Sequence, residues 1–295
     1  MEISIALPTF SEPGADVCDV TSIARHAEAL GFDAVWAGDH LSTGAPFLES
    51  VVALSATAAV TDRLRLGFGV LLPGLRPQAW VAKQIGSLQL LSGGRVLLGV
   101  GVGGAPAAEW AAAGVSHRER GHRTDLMLQA LPDLLSGKET ELGTEVGAPT
   151  ITLDPAVPMP PVWIGGASDA ALRRAVRYGT GWLASLLSPE QVDQRRARLA
   201  EMADAHAVAP PRIGTTLFTA LGGADRERAV RWLESLLVPR EVAERMMISS
   251  RRELVDKIGR YIEAGVSHIV VNAGTQKLPA QYDVIGEVAA TTLGR

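Results

Sequence analysis

Three short stretches of this 295-residue chain combine residue types that can do chemistry. The first is Gly38-Asp39-His40, which sets a carboxylate beside an imidazole. An imidazole changes charge near neutral pH and can carry a proton to or from a reacting group. It can equally hold a loop through a structural hydrogen bond, and Asp39 can cap a helix or brace that loop. The second stretch is Gly99 to Gly104, which matches G-x-G-x-x-G. A dinucleotide site would also need an acid ending the next strand roughly 20 residues on. That region reads HRERGHRTD, polar and within a helical stretch, so the dinucleotide reading fails. Two readings stay open for Gly101, Val102 and Gly103: a tight turn, or close approach of the backbone to a flat ligand. The third stretch is Gly165-Gly166-Ala167-Ser168 ahead of a helix. Its free N–H groups, the helix dipole and the Ser168 hydroxyl suit a phosphate, although Ser168 would also serve as a plain cap.

These residues matter only if the elements around them bring them together. Residues 64–104 form a strand-helix-strand unit. Leu64–Val70 is a short apolar run of strand length, and from Pro77 apolar residues (Trp80, Val81, Ile85, Leu88, Leu91) recur at helical spacing. Ser92-Gly93-Gly94 stops the helix, and Arg95–Val100 is the next strand. Two such apolar strands joined by a helix run parallel. Similar units flank this one. Strands are expected at Ile3–Leu7, Ala34–Ala37, Pro161–Ile164, Gly181–Ala184, Arg212–Ala220 and His268–Val271. Helices are expected at Val17–Leu30, Phe47–Val60, 106–136 (broken at Gly114), Ser168–Tyr178, Pro189–Ala205, Asp225–Leu237, Glu241–Ile248, Arg251–Ala264 and Pro279–Thr292. Lys138–Pro160 reads as an inserted loop with a short strand at Thr150–Thr152. Eight strands alternating with helices imply an α/β chain forming a single (β/α)8 TIM barrel across residues 1–295, with an open doubly wound sheet as the alternative.

A barrel puts its active site at the carboxyl ends of its strands. The expected strand ends are Pro8-Thr9-Phe10, Gly38-Asp39-His40, Gly69–Pro73, Gly101–Gly104, Gly165–Ser168, Ser185 and Asn272. None of the four lysines (Lys83, Lys138, Lys257, Lys277) lies there, which argues against a Schiff-base enzyme. Of the six histidines only His40 does, which argues against a His-rich metal site. Glycines, apolar residues, one His and one Asp remain. Such a surface suits a flat cofactor that brings its own reactivity. The net charge of -4 offers no basic face for nucleic acid. Cys18 is the only cysteine, and neither a signal peptide nor an apolar run of membrane-spanning length is present, so a cytoplasmic protein is expected.

The runs AVWAGDHL, LRLGFGVLLPGLRP, LSGGRVLLGVGVGG and PPVWIGGASDAALRRAVRYGTGW resemble the bacterial luciferase-like superfamily of flavin and deazaflavin enzymes, over roughly residues 1–272. The resemblance implies a barrel holding FMN or the deazaflavin coenzyme F-420 across its strand ends, often in a homodimer. Trp36-x-x-Asp39-His40 resembles the branch that uses coenzyme F-420. It implies His40 and Glu109 as catalytic residues. It also implies cofactor contacts from Asp39, Gly69, Val70, Gly101, Val102, Gly103, Gly165, Gly166 and Ser168, and a non-proline cis peptide at Gly69-Val70. His117, Arg118, Arg120, His122 and Arg123 would either meet the acidic tail of the deazaflavin or form a solvated helix face. Trp80, Trp110, Trp163 and Trp182 are expected in the core or the wall. The short segment after the fourth helix would leave the site open to bulky substrates or completed by a partner chain. The expected activity is hydride transfer between coenzyme F-420 and a small organic substrate. The alternatives are an FMN-dependent monooxygenase and a non-catalytic cofactor-binding protein.

Overall fold

The computed structural model describes residues 1–12, 16–104, 107–143 and 147–294. Eight parallel strands close into a barrel: β1 (Glu2–Ala6), β2 (Ala34–Ala37), β3 (Arg65–Phe68), β4 (Val96–Val100), β5 (Val162–Gly165), β6 (Gly181–Ala184), β7 (Arg212–Thr219) and β8 (His268–Ala273). Neighbours follow chain order, and β8 returns to pair with β1, Glu2 opposite His268. Closure through β6–β7 and β7–β8 rules out the open sheet. The helices are α1 (Val20–Ala29), α2 (Ser50–Ala58), α3 (Gln78–Leu91), α4 (Ala107–Ala112), α5 (Arg120–Leu135), α6 (Asp169–Tyr178), α7 (Pro189–Ala205), α8 (Arg226–Ser235), α9 (Arg240–Met246), α10 (Arg251–Glu263) and α11 (Leu278–Leu293). Among the described residues no helix is long and apolar enough to cross a membrane.

The strands alternate between two packing surfaces. Ile3, Ile5, Val35, Leu66 and Leu98 pack outward against the helices in the main core. Ala34, Trp36, Leu97, Trp163, Leu183 and Val270 fill the barrel itself. The two interior tryptophans meet edge to face at 6.3 Å. They fit because glycines lie beside them: a Cβ on Gly67 would come within 2.3 Å of Trp36, and one on Gly181 within 2.3 Å of Trp163. Thus several glycines in the apolar strands make room for indoles rather than for a ligand.

The amino-terminal end of the barrel is closed by ions. Glu2 accepts from His268 Nδ1 at 2.7 Å and pairs with Arg65 at 2.9 Å and Arg212 at 3.2 Å. His268 Nε2 lies 3.0 Å from Ser4 Oγ. Burial lowers the His268 pKa more than its carboxylate partner raises it, so the ring is the neutral donor to Glu2. Burial alone would raise Glu2, but bonds from His268 and Arg65 prevail and hold it far below the usual carboxylate range.

Several boundaries differ from expectation. Asp19 caps α1 through Thr21 and Ser22, so that helix starts at Val20 and not Val17. Phe47 forms a bridge with Phe10 instead of opening α2, which Glu49 caps. The helix expected over Glu241–Ile248 gives up Met247–Ile248 to a short strand beside β7. On α3 the packed face is Val81, Ala82, Ile85, Leu88 and Gln89. Trp80 and Leu91, which helical spacing groups with the core, are instead 65% and 77% exposed. The insertion contains an antiparallel pairing of Thr140–Glu141 with Thr150–Ile151, anchored by buried Leu142 and Val157. Residue 106, the expected start of the fourth helical segment, lies outside the described residues.

Candidate active site

His40 and Glu109 come together across 69 positions of sequence. His40 Nδ1 lies 3.1 and 3.2 Å from the two carboxylate oxygens of Glu109. Glu109 Oε1 also accepts the backbone N–H of Leu41 at 2.5 Å and of Ser42 at 3.3 Å. The Glu109 side chain is 1% exposed and that of His40 is 31% exposed. A carboxylate is an acceptor, so Nδ1 carries the proton, and Nε2 has no partner among the described residues. Phe47 braces the ring edge to face at 5.6 Å. The result is an oriented imidazole with one nitrogen available to a ligand.

Asp39 has the opposite fate. Its Oδ1 accepts from Ser50 Oγ at 2.9 Å and Arg76 Nη2 at 2.7 Å. Its Oδ2 accepts from Leu72 N at 2.9 Å and Arg76 Nη1 at 2.7 Å. With four protein donors and a fully buried side chain, Asp39 braces the loops after β2 and β3. These contacts are those of the bracing alternative. Burial favours a neutral Arg76 guanidinium, but Asp39 and Glu49 outweigh that and raise its pKa. Sequence reasoning missed Arg76, since no spacing signal says that an Arg after a turn reaches back 37 positions.

The Gly69-Val70 peptide is cis, as expected. Val70 enters a slot between Gly101 and Gly165, whose added Cβ atoms would approach it to 2.4 and 3.0 Å. Gly103 has φ +66° and would place a Cβ 2.9 Å from the buried Trp110. Gly101 and Gly103 thus make room for Val70 and Trp110. The Gly101 N–H donates to the Leu71 carbonyl at 2.9 Å, whereas those of Val102, Gly103 and Gly104 bond to nothing among the described residues. At the end of β5, Ser168 caps α6 by accepting from Ala171 N at 3.3 Å, and Trp182 Nε1 holds the Gly166 carbonyl at 2.7 Å. Gly166, at φ +116°, needs the freedom of glycine. The N–H groups of Ala167, Asp169 and Ala170 remain free of protein partners among the described residues.

In the basic stretch Arg118 and His122 are exposed, as a solvated face requires, and the other members make internal bonds. His117 Nε2 bonds the Gly104 carbonyl at 2.7 Å, Arg120 bonds the His117 carbonyl at 2.8 Å, and Arg123 bonds the Gly74 carbonyl at 3.0 Å. Two of its five members, His117 and Arg123, therefore tie down the loops after β4 and β3. A shallow depression opens at the barrel mouth, lined by Phe10, Trp36, Gly69, Leu183, Thr216 and Asn272. A depression of about 550 Å3 between α3 and α5 is larger, but no strand-end residue lines it.

Several polar groups at the strand ends lack protein partners among the described residues. The Trp36 indole Nε1 is buried in the barrel without a partner, and the N–H groups of Val102–Gly104 are free at the end of β4. The free first turn of α6 suits a phosphate. A (β/α)8 barrel with an oriented His and open main-chain donors at the strand ends is the arrangement that a barrel enzyme using a bound cofactor requires. Residues 1–262 match the family model for luciferase-like monooxygenases, and the chain belongs to that family. An uncharacterised protein of Mycobacterium tuberculosis is 34% identical over 213 residues, 65% of this chain and 73% of its own length. The monooxygenase RslO1 from Streptomyces bottropensis superposes with a TM-score of 0.85 at 21% identity, covering 99% of this chain and 100% of that one. An F420-dependent secondary alcohol dehydrogenase in complex with an F420-acetone adduct superposes with a TM-score of 0.79 at 17% identity, covering 97% of each chain. At these identities the two structures speak for the fold.

Proposed function

We propose that the protein binds coenzyme F-420 across the barrel mouth and catalyses hydride transfer between it and a small organic substrate. The observation that carries this reading is the His40–Glu109 pair, which holds one imidazole nitrogen in a carboxylate's grip and leaves the other for substrate. When bound, the deazaflavin supplies a two-electron hydride acceptor or donor at its C5 carbon. In the oxidation of an alcohol His40 Nε2 would accept the hydroxyl proton as the hydride leaves for the cofactor, and in the reduction of the ketone it would return that proton. Glu109 makes this exchange easier by stabilising the imidazolium. Val102–Gly104 would hold the ring system through main-chain N–H groups, Val70 would back it, and the start of α6 with Ser168 would hold the phosphate.

Fluorescence titration of the purified apo-protein with coenzyme F-420 and with FMN tests this, repeated on His40→Ala. Preference for F-420 supports the reading. Preference for FMN moves it to an oxygen-using monooxygenase, the activity that RslO1 is named for. Binding of neither overturns both. The proposed assembly is a homodimer joined through α2 and α3, supported by the exposed apolar side chains Val52, Trp80, Leu90 and Leu91 on them. Light scattering should give twice the chain mass, and Trp80→Arg with Leu91→Arg should halve it.

A further inference from the structure

An aromatic wall runs outward from His40 along one side of the mouth. Phe47 meets His40 edge to face, and Phe10 lies 5.4 Å from Phe47 with ring planes 6° apart. Trp232 of α8 follows, 5.1 Å from Phe10 and 8° from its plane. The wall is held by the backbone. Phe10 and Phe47 form an antiparallel bridge, with Leu48 N donating to Thr9 O at 2.7 Å and Ser11 N to Pro46 O at 3.0 Å. Phe10 and Phe47 are only partly buried, whereas Trp232 is buried behind them. Neither belongs to the clusters that fill the barrel or form its main core, and Phe10 packs on the smaller cluster of β7, α8 and α9 that holds Trp232.

The charges near this wall are already spoken for. Apart from His40, whose Nδ1 is held by Glu109, no ionisable side chain among the described residues lines the mouth. Glu12, two residues beyond Phe10, is held by Arg228 at 2.6 Å and by the Thr275 hydroxyl. Asp39 belongs to Arg76, Arg76 to Asp39 and Glu49, and Glu109 to His40. A charged substrate entering here would lose its hydration and gain no counter-ion, which is heavily penalised. The mouth does offer neutral polar groups on the opposite side: the Ser185–Thr216 hydroxyl pair at 2.7 Å and the Asn272 amide.

We infer that the substrate is an uncharged, ring-bearing secondary alcohol or the corresponding ketone, selected by contact of its ring with Phe10 and Phe47. Its oxygen-bearing carbon then lies beside His40, where the wall begins. The chemistry of the alcohol and ketone rests on the proposed hydride transfer, whereas the preference for a neutral ring rests on the wall alone.

Three matched probes separate ring from charge: acetophenone, 2-butanone, which lacks the ring, and 4-acetylbenzoate, which keeps the ring and adds a carboxylate. Binding is measured by calorimetry and saturation-transfer NMR on the full chain, alone and saturated with whichever cofactor the titration selects. Acetophenone should bind about tenfold tighter than either of the others, in line with the worth of aromatic contacts. Phe10→Leu, which keeps an apolar side chain and removes the ring, should erase most of the margin over 2-butanone while the melting temperature stays within a few degrees. Phe47→Leu repeats the test should Phe10→Leu fail to fold. Equal binding of acetophenone and 2-butanone to the native protein, tighter binding of 4-acetylbenzoate, or an unchanged ring preference in a folded leucine variant overturns the inference. The two readings fail separately. Ring selection without F-420 binding keeps this inference and removes the hydride-transfer reading, and F-420 binding without ring selection does the reverse.

Discussion

Replacement of Asp39 by asparagine tests whether that residue braces the site or touches the cofactor. The amide has nearly the shape of the carboxylate but only one acceptor oxygen. Asp39 accepts four bonds, one Arg76 nitrogen and one further donor on each oxygen. Whichever way the introduced amide is turned, its NH2 group faces an Arg76 nitrogen, donor against donor. The less costly orientation puts NH2 toward Ser50, whose hydroxyl can rotate and accept, and keeps the oxygen on Leu72 N. Removing one partner of a buried ion pair costs about 3–5 kcal/mol. Arg76 keeps Glu49 at 3.0 Å and is 19% exposed, so the lower end, about 3 kcal/mol, applies. For a domain of this size each kcal/mol lowers the melting temperature by about 2 °C, giving a drop of roughly 6 °C by scanning calorimetry. Adding Arg76→Met should recover part of that loss, because no uncompensated guanidinium then remains. A melting temperature within 1 °C of native, together with weakened F-420 binding in the fluorescence titration, would refute the reasoning and make Asp39 a cofactor ligand.

Three further perturbations follow from the same structure. Glu109→Gln removes the negative acceptor from His40 Nδ1 but can still accept from Leu41 N, so turnover should fall by about 10–100-fold with little change in cofactor affinity; steady-state kinetics within twofold of native would contradict the proton-transfer role. Gly101→Ala would press a methyl group against Val70, destabilising the fold by roughly 1–3 kcal/mol, and Val70→Ala in the same chain should relieve it in urea unfolding. If the double variant is no more stable than Gly101→Ala, the slot is not what sets the glycine. Acid should weaken the ionic closure of the barrel. His268 has its folded pKa depressed, so its stabilising contribution is full above an unfolded pKa of about 6.5 and is lost as pH falls through the folded value. Glu2, also depressed, adds a further loss below its unfolded pKa of about 4.5. Melting curves from pH 7.5 to 4 should show stability falling with pH, and His268→Asn should flatten the upper part of that slope; a native curve with no slope there would count against the cluster.

How much of this was legible in the sequence depends on the range of the interactions. Strand and helix order followed from apolar runs and glycine stops, because those signals are local. The ends of α1 and α2 moved because a side-chain cap at Asp19 and a bridge between Phe10 and Phe47 outweighed the apolar pattern. Trp80 and Leu91 were misplaced because helical spacing shows which residues share a face but cannot say that a second apolar face points outward. In the site, the glycine pattern was visible and its cause was not. That Gly67 answers to Trp36 and Gly101 to Val70 is a fact about neighbouring strands, which one strand's sequence does not contain.

The same partners explain why such small residues cluster at this mouth. Trp36 and Trp163 fill the barrel so completely that glycine is required beside them at Gly67 and Gly181. The packed interior then becomes a floor on which anything at the strand ends must rest. His40 is the fourth residue after Trp36 on the chain leaving β2, so the indole that sets the floor also fixes the start of the loop that carries the imidazole. Glu109 and Arg76 complete the arrangement from the far sides of β4 and β3, one orienting His40 and the other holding Asp39 beneath it. The ion cluster at Glu2 and His268 closes the opposite end, where no reactive group is needed. Stability and chemistry are thereby assigned to opposite ends of one set of strands. Substitutions at Glu2 or His268 should therefore change melting and leave ligand selectivity alone, whereas substitutions at Phe10 should do the reverse.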